Sequence, residues 1–297
     1  MEIKKLSPEH FYDLRDLLDG VFSRLYRRET RFAVLFPRLF EHPNDYVTSS
    51  HFGSFDGERL VGTAAMYPLD YVVGGKHIRL IANGNVAVHE DYRGKGVMTS
   101  LMHAVNDACD ISGDVCYLHG DPARYGRVGY IGEGIEYLLT FRPAKHQEFH
   151  FAAMQNADVP FCRARSEENC DYIVRSDKDF IPALRSGNRE AISVFRGGNL
   201  AGYLSLNREN GAVEEFGFGQ DMFSEAEVFS ALAAELGKPV RVRLSGYNDK
   251  ALARCRDHAD VQIGQPALFR VIHREPLIDA AYALGLPQNT LYAPYLT

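Results

Sequence analysis

The sequence predicts an α/β (α+β) chain of two tandem domains. Each is a mixed, mostly antiparallel sheet with flanking helices, and the second is a degenerate copy of the first. Three observations predict this. The chain has 297 residues, 45% hydrophobic and 24% charged, which suits two globular cores of roughly 150 residues each. The first half reads as helix, antiparallel hairpins, then strand–helix–strand. The second half repeats that order after an aperiodic stretch.

The elements follow in turn. Ser7-Pro8 reads as an N-cap with proline in the first turn. Phe11, Leu14, Leu18, Val21 and Leu25 then recur at helical spacing. The helix is expected to run into a basic stretch in which Arg24, Arg27, Arg28 and Arg31 share one face. Strands are expected at 51–55 and 59–66, joined by Asp56-Gly57, and at 67–73 and 76–81, joined by Gly74-Gly75. A short strand at Asn85–Val88 precedes a helix whose apolar face carries Val97, Leu101, Val105 and Ala108 and which ends near Gly113. A strand at 114–118, a short helical turn opened by Asp121-Pro122 and a closing strand at 135–141 complete the first domain, residues 1–142. Residues 143–160 read as a linker. In the expected second domain, 161–275, "EAISVFRGGNLAGYLSL" parallels "HFGSFDGERLVGTAAM", Ser224–Leu236 is a capped helix, 240–244 a strand, 249–258 helical and 267–272 a closing strand. Residues 276–297 form an apolar, Tyr-containing tail.

Composition removes several function classes. A formal net charge of −6 argues against a nucleic-acid partner, which usually calls for a basic balance. Five cysteines without a C-x-x-C pair (Cys109, Cys116, Cys162, Cys170 and Cys255) argue against a disulfide framework or a zinc ribbon. No metal site is expected, and a reducing cytoplasm is the expected compartment. The N-terminus MEIKKLSPEHFYDL has no apolar h-region. No run approaches the roughly 18 apolar residues of a membrane helix, so no membrane partner is expected.

The chemistry concentrates at "NVAVHEDYRGKGVMTSLM". Gly94 and Gly96 let the backbone turn sharply and come close to a ligand. The helix that follows presents unpaired N–H groups and the positive end of its dipole, a ready anion site. Arg93 and Lys95 add positive charge. Neither the G-x-x-x-x-G-K-[ST] loop nor the G-x-G-x-x-G fingerprint is present.

With a strand before it and a helix after it, Arg93-Gly94-Lys95-Gly96-Val97-Met98 resembles the [QR]-x-x-G-x-[GA] signature of the GCN5-related N-acetyltransferase (GNAT) superfamily. Met98 departs from the small residue that the pattern places last. Downstream, "HGDPARYGRVGY", His119 to Tyr130, resembles the superfamily's post-strand segment, with Tyr125 ahead of the Gly129-Tyr130 pair. The tandem arrangement resembles the "enhanced intracellular survival" type, without its sterol-carrier-like domain. The superfamily resemblance covers residues 1–142 well and the tandem resemblance covers the rest loosely.

The resemblance implies acetyl-CoA as cosubstrate. It implies transfer of the acetyl group to a primary amine of a small molecule or peptide by direct attack, with an oligomer compatible. Cofactor contacts are implied at Val86, Ala87, Val88, Arg93, Gly94, Lys95, Gly96, Val97, Met98, Thr99 and Asp121. Strand 85–88 is expected to splay from its parallel neighbour, freeing backbone groups for the pantetheine arm and an N–H for the oxyanion. Tyr125 is the expected proton donor to the departing thiolate. The base is open among His119, a water and the Thr297 carboxylate. The alternative is a non-catalytic acyl-CoA-binding or regulatory protein. The second copy has no Arg/Gly cradle at 215–223, so one active site per chain is expected.

Overall fold

In the computed structural model, residues 1–285 are described, except 145–147, 220–222 and 266. The chain divides into two compact units. Along the first part run β1 (Glu2–Lys5), α1 (Phe11–Tyr26), three short helices α2 (Phe32–Leu35), α3 (Pro37–Phe40) and α4 (Asp45–Ser49), then β2 (His51–Asp56), β3 (Arg59–Val73) and β4 (Lys76–Val88). Next come α5 (Val97–Ser112), β5 (Val115–Leu118), α6 (Pro122–Tyr125), β6 (Ile131–Glu133) and β7 (Glu136–Phe141). The remainder is β8 (Phe149–Ala153), α7 (Val159–Glu167), β9 (Asp171–Ile173), α8 (Asp177–Leu184), β10 (Glu190–Arg196), β11 (Asn199–Asn207), β12 (Ala212–Phe218), α9 (Glu225–Leu236), β13 (Val240–Ser245), α10 (Asp249–Cys255), β14 (Asp260–Gly264), β15 (Ala267–Val271) and α11 (Glu275–Ala283).

The first unit comprises Met1–Tyr71, His77–Gly132 and Ala267–Ile278. Its sheet follows the order β1-β2-β3-β4-β5-β15-β6. The β2–β3 hairpin is antiparallel, whereas β4 and β5 are parallel and joined through α5, as a parallel pair requires. Val97, Leu101, Met102, Val105 and Cys109 of α5 pack on Ala64, Ile81, Cys116 and Leu118 of the sheet. Phe11, Leu14, Leu18 and Val21 of α1 pack with Phe55 and Leu60. Each such large side chain contributes about 1.5–3 kcal/mol on burial. The expected basic helical face does not form. Arg27 takes the left-handed conformation (φ 53°) and ends α1, so Arg28 and Arg31 lie beyond the helix. The strands expected at 59–66 and 67–73 are one strand, and so are those at 76–81 and 85–88.

The second unit comprises Val72–Lys76 and the described residues of 133–265 and 279–285. Its sheet runs β14-β7-β13-β12-β11-β10-β8. Leu204, Leu206, Val213, Phe229, Leu232, Val240 and Val242 centre its core. Strand β8 and a 3-10 turn at Asn156–Asp158 occupy much of the expected linker. The repeated β-hairpin, strand, helix, strand order is present as β10, β11, β12, α9 and β13. Two strands pair elsewhere than the sequence suggests. Strand β7, expected to close the first half, pairs with β13 and β14. Strand β15, expected to close the second, pairs with β5. Both are short amphipathic runs whose partners lie far along the chain, and such pairing is not encoded in local periodicity.

Candidate active site

The parallel ladder between β4 and β5 is short: Leu80, Ile81 and Ala82 pair with Val115, Cys116 and Tyr117. It ends at Ala82, three residues before Asn85, which adopts the left-handed region at φ 52°. The expected divergence at 85–88 is therefore present. Val86 and Val88 are half-buried and Ala87 is buried, and His89 N donates to Val61 O of β3 at 2.9 Å.

The loop from Val88 to α5 is pinned on several sides. Tyr92 Oη donates to Asp56 Oδ2 at 2.7 Å. His89 Nε2 meets Arg59 Nη2 at 3.0 Å, and Glu90 pairs with Arg24 at 3.2 Å. Arg93 Nε reaches back to Val88 O at 3.4 Å. The Lys95 ammonium lies over the Tyr92 ring, 4.8 Å from its centroid.

Gly94 and Gly96 both take positive φ, 74° and 78°. That conformation costs a residue with a Cβ about 1–2 kcal/mol. A Cβ built on either glycine would meet nothing within 4 Å, so the space over both is open to a ligand. Gly96 caps α5 without a side-chain hydrogen bond. The helix thus begins with its first-turn N–H groups, at Val97, Met98 and Thr99, lacking intrahelical partners. Met98 is half-buried and packs against the core, so its length is directed into the core. An exposed arginine, an open glycine turn and a bare helix N-terminus fit a pyrophosphate group.

The other expected residues follow β5. His119 is exposed, its ring edge-on to Tyr117 at 6.2 Å between centroids. Asp121 Oδ1 accepts from Ala123 N at 2.9 Å and so caps α6. Tyr125 is buried, at 7% exposure, and burial pushes its hydroxyl pKa upward against the opposing effect of Arg124. Its ring lies directly on the backbone of Gly120, where a Cβ would overlap Cε2 and come within 2.7 Å of Cδ2. Thr297 lies outside the described residues.

A buried polar network that sequence reading missed holds the tyrosine turn. Tyr130 Oη lies 2.7 Å from Asn83 Oδ1 on β4 and 3.1 Å from Asn106 Oδ1 on α5. Asn106 Nδ2 donates to Val128 O at 2.9 Å, and Asn83 Nδ2 donates to Ala65 O at 3.2 Å. The strand, the cradle helix and the turn carrying Tyr125 are thus tied together. The signal available was Asn106, an amide on the apolar face of an amphipathic helix.

The same region of the second unit differs. Its parallel strands β12 and β13 also pair only briefly, at Ala212–Arg241 and Val213–Val242. The helix that follows, α9, is closed by a capping box of Ser224 and Glu227 and carries Glu225 and Glu227 in its first turn. Ser224 Oγ accepts from Ala226 N at 3.2 Å, and the two first-turn carboxylates repel anions.

Residues 2–131 match the acetyltransferase (GNAT) domain family. No curated protein matches the sequence. Among solved structures, a conserved protein from Enterococcus faecalis V583 shares 18% identity at a TM-score of 0.66, over 94% of this chain and 74% of that one. A GCN5-related N-acetyltransferase from Kribbella flavida shares 17% at 0.62, with the same coverage. Eis1 from Mycobacterium abscessus shares 16% at 0.60, over 94% of this chain and 76% of that one. The fold common to these proteins therefore extends through both units. The GNAT family uses acetyl-CoA. The match to the acetyltransferase (GNAT) domain family falls on the stretch that carries the diverging strand, the open glycine turn and the tyrosine turn.

Proposed function

We propose that the chain transfers an acetyl group from acetyl-CoA to a primary amine of a small molecule or peptide by direct attack, in the cytoplasm. The observation that carries this reading is the open glycine turn at the bare head of α5, beside the end of β4 that has left its parallel partner. Acetyl-CoA supplies an activated acetyl thioester. The amides of Val97, Met98 and Thr99, with Arg93, Gly94, Lys95 and Gly96, hold its pyrophosphate. The freed backbone of Val86, Ala87 and Val88 aligns the pantetheine arm. Asp121, which caps α6 at the head of the tyrosine turn, completes the cofactor contacts.

Tyr125 acts on the leaving group. A free thiol has a pKa of about 8.5 and a tyrosine about 10, so full proton transfer is uphill by about 2 kcal/mol even before burial is counted. Burial raises the Tyr125 pKa further. A hydrogen bond to the developing thiolate is therefore its contribution. The attacking amine must shed a proton from an ammonium of pKa about 10.4. His119, exposed at the end of β5, takes that proton directly or through water.

The test is release of free thiol from acetyl-CoA against a panel of amines. The expected result is amine-dependent release that Tyr125→Phe lowers by about 100-fold, the scale of one acid–base group. Tight acetyl-CoA binding with no amine acetylated would leave only a binding function.

A further inference from the structure

Asn85, the left-handed residue three positions past the end of the β4–β5 ladder, is held by side chains outside the acetyl-CoA contacts named above. Asn85 is one of three described non-glycine residues with positive φ. Asparagine tolerates that region better than most residues, yet here its side chain is also fixed. Its amide nitrogen lies 2.9 Å from Tyr67 Oη on β3 and 3.2 Å from His51 Nε2 on β2. His51 is fully buried, and its Nδ1 lies 2.7 Å from Val47 O. A carbonyl only accepts, so Nδ1 carries the proton and Nε2 presents its lone pair to Asn85. The rings of His51 and Tyr67 meet edge to face at 5.7 Å. Each member thus fixes the next: the α4 carbonyl sets the tautomer, the tautomer sets the amide orientation, and the amide anchors the left-handed residue.

We propose that His51, Tyr67 and Asn85 form a clamp that holds residues 86–88 in their diverged position and thereby sets affinity for the acetyl-CoA arm. The inference about affinity rests on the acetyl-transfer reading above; the clamp itself does not. The three side chains are positioning residues. Divergence alone does not require them, because glycine would supply the same backbone angle. What they add is rigidity in the free protein, so that less ordering is lost when a ligand pairs with the strand.

Asn85→Gly separates these roles, since it keeps the backbone conformation and deletes the clamp. Amide hydrogen exchange in the free protein reads the clamp directly. In Asn85→Gly, exchange at 86–88 should speed up about tenfold, the scale of a lost hydrogen-bonded anchor, while 78–82 keeps its protection and the melting temperature confirms folding. Unchanged exchange at 86–88 would overturn the clamp. The Kd for acetyl-CoA should rise about tenfold in the same variant, and Tyr67→Phe, which deletes one of the two acceptors, should lie between the variant and the parent. Faster exchange with unchanged Kd would overturn the role in affinity. If the parent protein binds no acetyl-CoA, the acetyl-transfer reading and the role in affinity both fail, and the exchange result still decides the clamp.

Discussion

In the proposed reaction Tyr125 works as a neutral hydroxyl, because burial holds its pKa above the usual tyrosine value. Tyr125→Phe should therefore depress kcat and leave the KM for acetyl-CoA within about threefold, a split that marks an interaction made only in the transition state. Gly120→Ala tests its placement. The new methyl would enter the space of the Tyr125 ring, so steady-state kinetics should show a kcat loss approaching that of Tyr125→Phe. His51 carries a pH prediction. Burial pulls its pKa down from 6.5 to about 4, so between those values the unfolded chain binds the extra proton. Its contribution is full above about 6.5 and is lost as pH falls toward 4, a total of about 3 kcal/mol at 1.36 per unit. Denaturant unfolding at pH 4.5 and 7.5 should show a smaller pH slope in His51→Gln than in the parent; equal slopes would count against the buried neutral histidine. The turn that carries Tyr125 was legible in the sequence because it sits in a motif, "HGDPARYGRVGY". His51 was not, since one histidine opening a strand looks the same whether buried or exposed.

At the scale of elements, the cradle depends on two glycines in left-handed conformations and on a helix that begins without a side-chain cap. Gly96→Ala places a Cβ in open space, so the effect should come from strain of about 1–2 kcal/mol and from crowding of the ligand. Binding titration should show acetyl-CoA affinity reduced about tenfold, with a melting temperature lowered by a few degrees at most. The strand, glycine turn and helix were readable because each has local chemistry: alternating apolar residues, paired glycines and an apolar face at helical spacing. The Tyr130–Asn83–Asn106 network was not readable, because its members stand 23 and 24 positions apart along the chain and meet only through folding. The basic face expected after α1 failed for a local reason, the left-handed turn at Arg27, which no glycine or proline announced.

For the whole molecule, strand pairing matters most. Strand β15 pairs with β5 in the first sheet, and Phe269 within it is fully buried. A fragment ending at residue 142 lacks β15 and leaves β5 with an open edge, an aggregation hazard. Expressed alone, that fragment should be less soluble and melt lower than the full chain, as judged by light scattering and circular dichroism. The repeated order of elements in the two halves was visible as a pattern in the sequence. The exchange of closing strands was not, since β7 and β15 have the same short amphipathic character and nothing nearby names their partners.

We place a single acetyl-CoA cradle at the head of α5, because the corresponding helix of the second unit carries its own capping box. Calorimetric titration of acetyl-CoA into the full chain tests it most directly. One site per chain is expected, lost in a Gly94→Val, Gly96→Val double variant that remains folded. Two sites per chain, or one site untouched by that double variant, would contradict it.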